Sequence, residues 1–234
     1  MSLYLTDKIY IKNDIFYYEK DGKSYKLQDK NWHIHLNEYG WEKLNKQWII
    51  QLNRSTKKRK KNSLIGALDC GGEGDCLFHC INYAIYGDLN TENLRFNLSE
   101  MVTEERFNDM IHIYQILKID GDFNEEWDPD NITYDDFKRI LSEGGDNYWG
   151  DFLVLNLLKE YLNINFIVLY SNDISGEYYH YPIFYKYNEG IDTVILLYEN
   201  ENHFKLVGYF NNHRMITRFS NENLPEEIVN MIQK

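Results

Sequence analysis

The residues best suited to chemistry lie at 69–87, where the chain reads DCGGEGDCLFHCINYAIYG. Three glycines make a loop that can adopt backbone angles other residues avoid. Apolar residues then recur at spacings of three and four, which predicts a buried helix ending at Gly87. Cys76 lies where loop meets helix, so free backbone N–H groups and the helix dipole favour its thiolate, the nucleophilic form. The same amides are placed to bind the oxyanion of an acyl-transfer reaction.

A thiol nucleophile needs an imidazole base, and the chain has 7 histidines. His203 is favoured weakly by its position, because it begins a predicted strand directly after a tight turn. His79 is too close to Cys76 in sequence. At i+3 on the same helix, its ring is expected to point away from a thiol at the helix tip.

A metal site is the alternative interpretation of the same stretch. Cys76, His79 and Cys80 have the spacing i, i+3 and i+4, and together with Cys70 they could face one zinc ion. However, Cys80 lies on the apolar stripe, and zinc sites usually place two cysteines two to four residues apart across a loop. We therefore expect no metal, and we interpret Cys70 and Cys80 as small buried hydrophobes.

Three segments resemble the ovarian-tumour (OTU) family of cysteine proteases, which remove ubiquitin. Residues 73–78 (EGDCLF) are similar to the family's Asp-Gly-Asn-Cys-Leu-Phe signature. Residues 148–151 (YWGD), with the apolar helix and strand predicted after them, are similar to its Trp-Gly segment. Residues 202–204 (NHF) are similar to its histidine followed by an aromatic residue. The three segments occur in the family's order, over about residues 62–210.

The resemblance implies both the reaction and the residues that perform it. The reaction is thiol-dependent hydrolysis of the isopeptide bond at the C-terminal glycine of ubiquitin, or of another ubiquitin-like modifier, and it needs no cofactor. The implied partners are ubiquitin, polyubiquitin chains and ubiquitinated proteins. The implied site residues are Cys76, His203 and Glu73 in catalysis, Gly74 and Asp75 in the oxyanion loop, and Trp149 lining the cleft.

The chain departs from the family pattern beside the base and beside the nucleophile. Many members place Asp or Asn two positions after the histidine, where this chain has Lys205, which cannot accept the imidazole N–H. The enzyme then works as a dyad or takes an acceptor from elsewhere, with Asp69, Glu199, Asn200 and Asn202 as candidates. Asp75 replaces the family's Asn, and its charge opposes the thiolate unless the side chain turns away. Glu73 replaces the signature's leading Asp and is one methylene longer. Lys205 and Glu73 motivate a second hypothesis, a weakly active or inactive module that only binds ubiquitin.

The composition predicts a packed core, with 43% hydrophobic residues in 234, and together with the resemblance we expect an α+β protein. The resemblance implies a papain-like cysteine protease fold with a central, mainly antiparallel sheet flanked by helices and a small N-terminal β/α extension. We predict that residues 1–61 form this extension and end in a basic linker. Residues 62–212 are then the catalytic domain, and residues 213–234 a tail or helix.

The net charge of −12 is unevenly distributed. Residues 1–62 carry 14 Lys/Arg and 7 Asp/Glu, whereas residues 63–234 carry 11 and 30. An acidic catalytic part repels nucleic acid and favours basic partners, such as the C-terminal tail of ubiquitin. Acidity for solubility alone is the alternative.

Several sequence features bear on location. The apolar runs are too short to span a bilayer, so we expect no membrane association, and no signal peptide is evident. Three crowded cysteines do not make a disulfide framework. We therefore expect a reducing, cytoplasmic location, which is the host cytoplasm if the protein is a viral or bacterial effector. The basic cluster at 54–61 is expected to be a solvated linker, with nuclear import as the alternative.

Periodicity and capping signals predict the remaining elements. A hairpin turn is expected at Asp21-Gly22, and the acidic residues 120–136 are expected to form a surface loop that lacks the ligand pattern of an EF-hand. Thr103, Thr133 and Asp151 are expected to cap helices. The predicted helices are 40–52, one or two within 91–119, 134–142, 152–162 and 224–232, and the predicted strands include 164–170, 178–187, 193–198 and 203–210, the last two as a hairpin.

Overall fold

The computed structural model describes residues 2–56, 63–172, 177–182, 187–200 and 202–232. The chain divides into two compact units. Met1–Cys70 and Asn165–Lys234 form the first, called the strand unit because it holds every described strand. Gly71–Ile164 form the second, the helical unit.

The described residues form twelve strands and eight α-helices. The strands are β1 (Ser2–Tyr4), β2 (Ile9–Lys12), β3 (Ile15–Lys20), β4 (Lys23–Lys26), β5 (Trp41–Lys43), β6 (Ile65–Leu68), β7 (Asn165–Asn172), β8 (Glu177–Pro182), β9 (Thr193–Glu199), β10 (His203–Asn211), β11 (Arg214–Ile216) and β12 (Arg218–Phe219). The helices are α1 (Trp32–His35), α2 (Lys46–Thr56), α3 (Cys76–Tyr86), α4 (Glu92–Met101), α5 (Glu104–Asp120), α6 (Tyr134–Glu143), α7 (Phe152–Leu162) and α8 (Glu226–Ile232).

The strand unit contains two sheets. β1 to β4 form an antiparallel meander, and the hairpin predicted at Asp21-Gly22 is confirmed, because both residues have positive φ and join β3 to β4. The main sheet has the strand order β5-β6-β10-β9-β7-β8, with β11 beside β10 and β12 beside β9. Its neighbouring strands are antiparallel except β7 and β9. The predicted hairpin of the last two long strands, now β9 and β10, is also confirmed.

The core of the strand unit is formed by the main sheet with α2 and α8. Trp48 of α2 and Ile228 of α8 are fully buried in the same cluster as residues of β7, β9 and β10. Ser55 Oγ donates a 2.8 Å hydrogen bond to the Glu227 carbonyl, which joins the two helices. The predicted α+β class, with a mainly antiparallel sheet flanked by helices, is therefore confirmed.

The helix predicted at 40–52 is wrong at its beginning. Trp41–Lys43 form β5, which pairs with β6, and α2 begins only at Lys46. Pairing with β6 buries the Trp41 ring completely, next to Gly208, where a Cβ would lie 2.5 Å from that ring. The Asn45 side chain accepts a hydrogen bond from the Trp48 amide, so a capping residue separates strand from helix.

β5 belongs to residues 1–61, which the sequence analysis sets apart as an extension, yet it is a strand of the main sheet. The domain boundaries at 61/62 and 212/213 stay a prediction. In the basic cluster at 54–61, residues 54–56 are described as the end of α2, and the rest lie outside the described residues. The same holds for residues 183–186 of the strand predicted at 178–187.

The helical unit confirms the predicted caps. Thr103 and Thr133 accept hydrogen bonds from amides in the first turns of α5 and α6, and Asp151 accepts two at the start of α7. Gly87 ends α3 in the left-handed conformation, as predicted. Within the described ranges, no helix combines the length and apolarity needed to cross a bilayer.

The acidic segment before α6 is held to the helical unit by aromatic rings and by one lysine. Phe123 and Trp127 pack on Tyr114 of α5, with ring centroids 5.8 and 5.0 Å apart. Lys118 Nζ lies 2.6 Å from carboxylate oxygens of both Asp128 and Asp130. The segment is therefore a packed part of the unit, and its acidic side chains are exposed except that of Glu125, which is partly buried.

A Gly66→Ala substitution tests the packing of the strand unit. A Cβ on Gly66 would lie 2.5 Å from the Trp32 ring and 2.7 Å from the Glu42 carbonyl oxygen. We expect a loss of about 1–3 kcal/mol in the free energy of unfolding, because β6 must shift to make room. The measurement is urea unfolding followed by tryptophan fluorescence.

The matched control is Gly72→Ala, where a Cβ meets nothing within 4 Å. Equal stability of the two variants would contradict the packing described for β6.

Candidate functional site

Cys76 is the first residue of α3, as the sequence predicts. The loop before it takes positive φ at Gly71, Glu73 and Gly74, with values of 114°, 58° and 83°. Gly74 also lies directly against the backbone of Gly145, so that an added Cβ would collide with the Gly145 carbonyl. Glycine is therefore required at 74 by both conformation and space, and the loop is fixed from two sides.

The Asp75 side chain turns away from α3 and pairs with Arg95 of α4. Arg95 Nε donates a 2.6 Å hydrogen bond to Asp75 Oδ1, and the Gly145 amide lies 3.3 Å from Oδ2. Asp75 makes no cap hydrogen bond to the helix that it precedes. Its negative charge is therefore matched by a guanidinium, which meets the condition set by its position beside a nucleophile.

Arg95 connects four segments of the helical unit. Its guanidinium is 1% exposed and donates to the carbonyls of Gly74, Leu141 and Tyr148 at 3.1–3.3 Å. It also lies 3.7 Å from the centre of the Phe78 ring, a cation–π contact with α3. Burial lowers the pKa of Arg95, and the Asp75 carboxylate opposes that shift. The group stays charged, because an arginine pKa lies far above neutral pH.

The first turn of α3 is left without a side-chain cap. An aspartate in the N-cap position usually accepts a hydrogen bond from the second or third amide of the helix, and here it does not. The amides of Cys76, Leu77 and Phe78 precede the first intrahelical donor, which is His79. Cys76 therefore begins a helix whose positive end can receive an anion.

The Trp-Gly segment lies against the first turn of α3. A Cβ on Gly150 would lie 2.7 Å from Leu77 and 3.0 Å from Phe78, so this position must be glycine for the segment to approach the helix. Trp149 is 42% exposed, unlike most aromatic residues of the unit. The predicted role of Trp149 in lining a cleft stays a prediction.

Glu125 connects the acidic segment to Trp149. Its Oε2 accepts a 3.2 Å hydrogen bond from the Trp149 amide. Burial raises the pKa of Glu125 to about 7, and the Asp151 carboxylate adds to this, while the Trp149 amide and Arg95 oppose it. The carboxyl group therefore changes charge near neutral pH.

His203 begins β10 directly after a turn, as predicted, and its acceptor is Asp69. His203 Nε2 lies 3.1 Å from Asp69 Oδ1, and the two side chains are 26% and 51% exposed. Asp69 follows the end of β6, the strand beside β10. Of the four acceptors that the sequence left open, the structure places Asp69 on the imidazole.

Lys205 is neutralised by two carboxylates. Its Nζ lies 2.6 Å from Glu42 and 2.9 Å from Glu199. Burial alone would lower the pKa of Lys205, but the hydrogen bonds to Glu42 and Glu199 outweigh it and raise the pKa to about 12. The Lys205 ammonium opposes formation of the His203 imidazolium less than an unpaired charge would, because the two adjacent carboxylates offset its positive charge.

The remaining predictions for the site concern Glu73, a metal ion, and the pairing of Cys76 with His203. The Glu73 side chain is exposed and makes no hydrogen bond to the residues that the structure describes, so its catalytic role stays a prediction. Among the described residues, no three His, Cys, Asp or Glu side chains are grouped as ligands of one metal ion would be. Cys76 lies in the helical unit and His203 in the strand unit, each with its own supporting residues.

Sequence reasoning missed Arg95, although a signal for it was present. Arg95 lies between Leu94 and Leu98 on an apolar stripe, where a charged side chain is buried only if it is paired. The unusual Asp75 was the available partner. An arginine on an apolar stripe and an aspartate in place of the family's asparagine, considered together, would have suggested the Asp75–Arg95 pair.

The comparisons with known proteins come from solved structures. No protein-family model and no curated protein matches the chain. It is similar to an ovarian tumour (OTU) domain in complex with ubiquitin, with 16% identity, a TM-score of 0.44, and coverage of 70% of this chain and 78% of that one. It is also similar to the viral OTU domain protease from Dera Ghazi Khan virus (12% identity, TM-score 0.42, coverage 64% and 81%). A third similar structure is the Hazara virus OTU bound to ubiquitin, with 12% identity, a TM-score of 0.42, and coverage of 66% of this chain and 89% of that one.

The buried pair predicts a large cost for removing one partner. Arg95→Met leaves the Asp75 carboxylate with only the Gly145 amide as a donor and takes the guanidinium from three carbonyls, so we expect a loss of about 3–5 kcal/mol in the free energy of unfolding. Asp75→Asn is also expected to destabilise. In the double variant, the cost should fall short of the sum by about 0.5–3 kcal/mol, because the two side chains interact. Urea unfolding of the four proteins measures this coupling.

Arg139→Met is the matched control, since Arg139 pairs with Asp136 and Glu143 on the surface of α6. Its cost should stay below about 1 kcal/mol. Additive costs for Arg95 and Asp75 would contradict the pairing.

Glu125 predicts a pH dependence of stability. Its pKa is about 7 in the fold against an ordinary value of 4.5, so the native state binds the proton more tightly. This contribution is complete below pH 4.5 and is lost as pH rises through about 7. Glu125→Gln lacks it. Between pH 5.5 and 8, the variant should therefore gain about 1–3 kcal/mol in unfolding free energy relative to wild type.

Urea unfolding at several pH values measures the difference. Glu126→Gln, at the exposed neighbouring position, should run parallel to wild type over the same range. A parallel curve for Glu125→Gln would show that Glu125 does not titrate there.

Proposed function

We propose that the chain is a cysteine deubiquitinase of the OTU type, which hydrolyses the isopeptide bond at the C-terminal glycine of ubiquitin. The observation that carries the proposal is the 3.1 Å contact between His203 Nε2 and Asp69. The sequence leaves the base without an acceptor, since Lys205 occupies the expected position, and Asp69 supplies one. A carboxylate-bound imidazole and a cysteine at a helix N-terminus are the base and nucleophile that such a protease needs.

In the proposed reaction, the Cys76 thiol gives its proton to His203, and the thiolate attacks the carbonyl carbon of the C-terminal glycine. In this proposal the Gly74 and Cys76 amides bind the oxyanion that forms, because the Asp75 amide donates to the Gly72 carbonyl. The C–N bond then breaks, and His203 returns the proton to the departing lysine amine. Water deprotonated by His203 hydrolyses the thioester, which releases ubiquitin and restores the thiol.

Asp69 has a positioning role in this scheme. A carboxylate that accepts from Nε2–H holds the imidazole in the tautomer whose Nδ1 can take a proton, and it stabilises the imidazolium that results. The Asp75–Arg95 pair has the complementary role beside the nucleophile. It directs a negative charge away from Cys76 while leaving the helix amides uncapped.

A second candidate function is a ubiquitin-binding module with little or no activity. The observation that favours it is the burial of Cys76, which is 6% exposed. A substrate must reach the nucleophile. A thiol as buried as that of Cys76 can be reached only if the adjacent loop moves. Both candidates share ubiquitin as the partner, and they differ in turnover.

Hydrolysis of ubiquitin carrying a C-terminal fluorogenic amide tests the proposal. We expect wild-type turnover, none with Cys76→Ala, and a rate about 10²–10⁴-fold lower with His203→Ala, because the general base is lost. Asp69→Asn should slow the reaction about tenfold or more, because the tautomer is no longer fixed. Asn200→Ala and Asn202→Ala are the matched controls and should retain the wild-type rate.

The outcomes distinguish the two candidate functions and also test the roles of Asp69 and Glu73. Tight ubiquitin binding by wild type without turnover would favour the binding module, whereas Asp69→Asn at the wild-type rate would favour a Cys76–His203 dyad. Glu73→Gln keeps the length of the side chain without its charge. A wild-type rate for that variant would remove Glu73 from the catalytic set.

A further inference from the structure

A pocket of about 450 Å³ lies in the helical unit, at the opposite end of α3 from Cys76. It is lined by four asparagines, two tyrosines, one aspartate and one leucine, and we call it the asparagine pocket. Its volume falls in the range of ligand-binding sites. Ten helical steps separate Cys76 from Tyr86, or roughly 15 Å at 1.5 Å per residue, so the pocket is distinct from the proposed nucleophile.

The hydrogen bonds inside the pocket hold Asp88 in place and use only one of its oxygens. The amide of Asn82, a residue 4% exposed, donates to Asp88 Oδ1, and the Asn90 backbone N–H donates to the same atom at 3.0 Å. Asp88 Oδ2 accepts no hydrogen bond from the residues that the structure describes. Asp88 is exposed, so this carboxylate oxygen is fixed in orientation and open to solvent or to a ligand.

A second acceptor is held in a similar way. Asn97 Nδ2 donates a 2.8 Å hydrogen bond to the Tyr161 hydroxyl, which occupies the amide nitrogen and leaves Oδ1 as an acceptor. Neither oxygen has a lysine, arginine or histidine beside it among the lining residues. The asparagine amides and tyrosine hydroxyls of the lining also supply donors, and Asp88 is the one carboxylate among the lining residues.

The electrostatic surroundings favour a cation. α3 ends at Tyr86 and α7 at Leu162, next to the lining residue Tyr161, so the C-terminal ends of two helices add partial negative charge. The helical unit as a whole, residues 71–164, carries 6 Lys/Arg and 20 Asp/Glu, and 6 − 20 gives −14. The N-terminal end of α4, which begins at Glu92 between the lining residues Asn90 and Asn93, adds partial positive charge, so it is the net charge of the unit that favours a cation.

Exposed apolar side chains lie at or next to the pocket, beside its exposed polar residues Asp88, Asn90 and Asn93. Tyr86 and Tyr161 are 60% and 37% exposed, and their rings line the pocket. Leu89 and Phe96, each next to lining residues in the chain, are 46% and 58% exposed. A pocket in an acidic unit, with exposed apolar and polar side chains around it, fits a protein segment better than it fits a free cation.

We propose that the asparagine pocket binds an arginine side chain of a basic segment in a partner protein. The planar guanidinium matches two separated acceptors with several donors and stacks on tyrosine rings, which a lysine ammonium does less well. The exposed side chains around the pocket then contact the residues on either side of the arginine. This partner site goes beyond the proposed hydrolase function and does not depend on it.

Chemical-shift titration of the full chain with acetyl-Gly-Arg-Gly-amide tests the proposal. The comparison peptide carries citrulline, which has nearly the same shape without the charge. We expect shifts confined to the end of α3, residues 88–97 and Tyr161, and binding of the arginine peptide about tenfold or more tighter than that of the citrulline peptide. Rising salt should weaken the arginine peptide alone.

Asp88→Asn should abolish the preference for arginine, whereas Asp109→Asn, which removes an exposed charge from α5, should preserve it. Tyr161→Leu leaves the Asp88 hydrogen bonds intact and should weaken arginine binding several-fold. Equal binding of the two peptides would indicate a site for neutral polar ligands and overturn the proposal. So would shifts located elsewhere, an unchanged preference in Asp88→Asn, or no binding at millimolar peptide. Because binding is read directly, the result stands whether or not the chain hydrolyses ubiquitin.

Discussion

The buried ion pair between Arg95 and Asp75 is the interaction on which the helical unit depends. One guanidinium reaches the glycine loop, the end of α6, the segment before Trp149 and the ring of Phe78. Burying such a charge is expensive, and it is stable here because a carboxylate and three carbonyls surround it. The loop before Cys76 therefore takes its shape from a residue on another helix rather than from its own sequence.

The pair also explains why Asp75 does not cap the helix that it precedes. Asp75 stands at the N-cap of α3, where an aspartate is among the best capping residues, and its side chain does not cap. The stabilisation that a cap would contribute is replaced by the contact with Arg95. What remains at the helix end is a set of uncapped amides beside a cysteine. Departures of this kind are expected where a protein keeps groups ready for a ligand.

In the strand unit, the register of the main sheet gives His203 a carboxylate partner although Lys205 lies on the same strand. Leu206 pairs with Leu68, and one further step along the same register brings Asp69 opposite Lys205, on the same face as His203. A carboxylate on the neighbouring strand can therefore reach the imidazole, although the strand of the histidine carries a lysine at the corresponding position. Lys205 meanwhile reaches Glu42 and Glu199 and is neutralised there. Each of the two basic side chains therefore has its own carboxylates, His203 that of Asp69 after β6, and Lys205 those of Glu42 in β5 and Glu199 in β9.

The sequence by itself determined the local features: the glycine loop leading into a helix that starts at Cys76, the caps at Thr103, Thr133 and Asp151, and the strands on either side of His203. These follow from periodicity and short-range hydrogen bonds, which neighbouring residues decide. Tertiary structure alone decided that Trp41 lies in a strand, that Asp75 pairs with Arg95 and that Asp69 contacts His203. Each of these joins residues far apart in the chain, through burial or strand register, and the sequence offers several partners of equal chemistry until the fold brings one of them within reach.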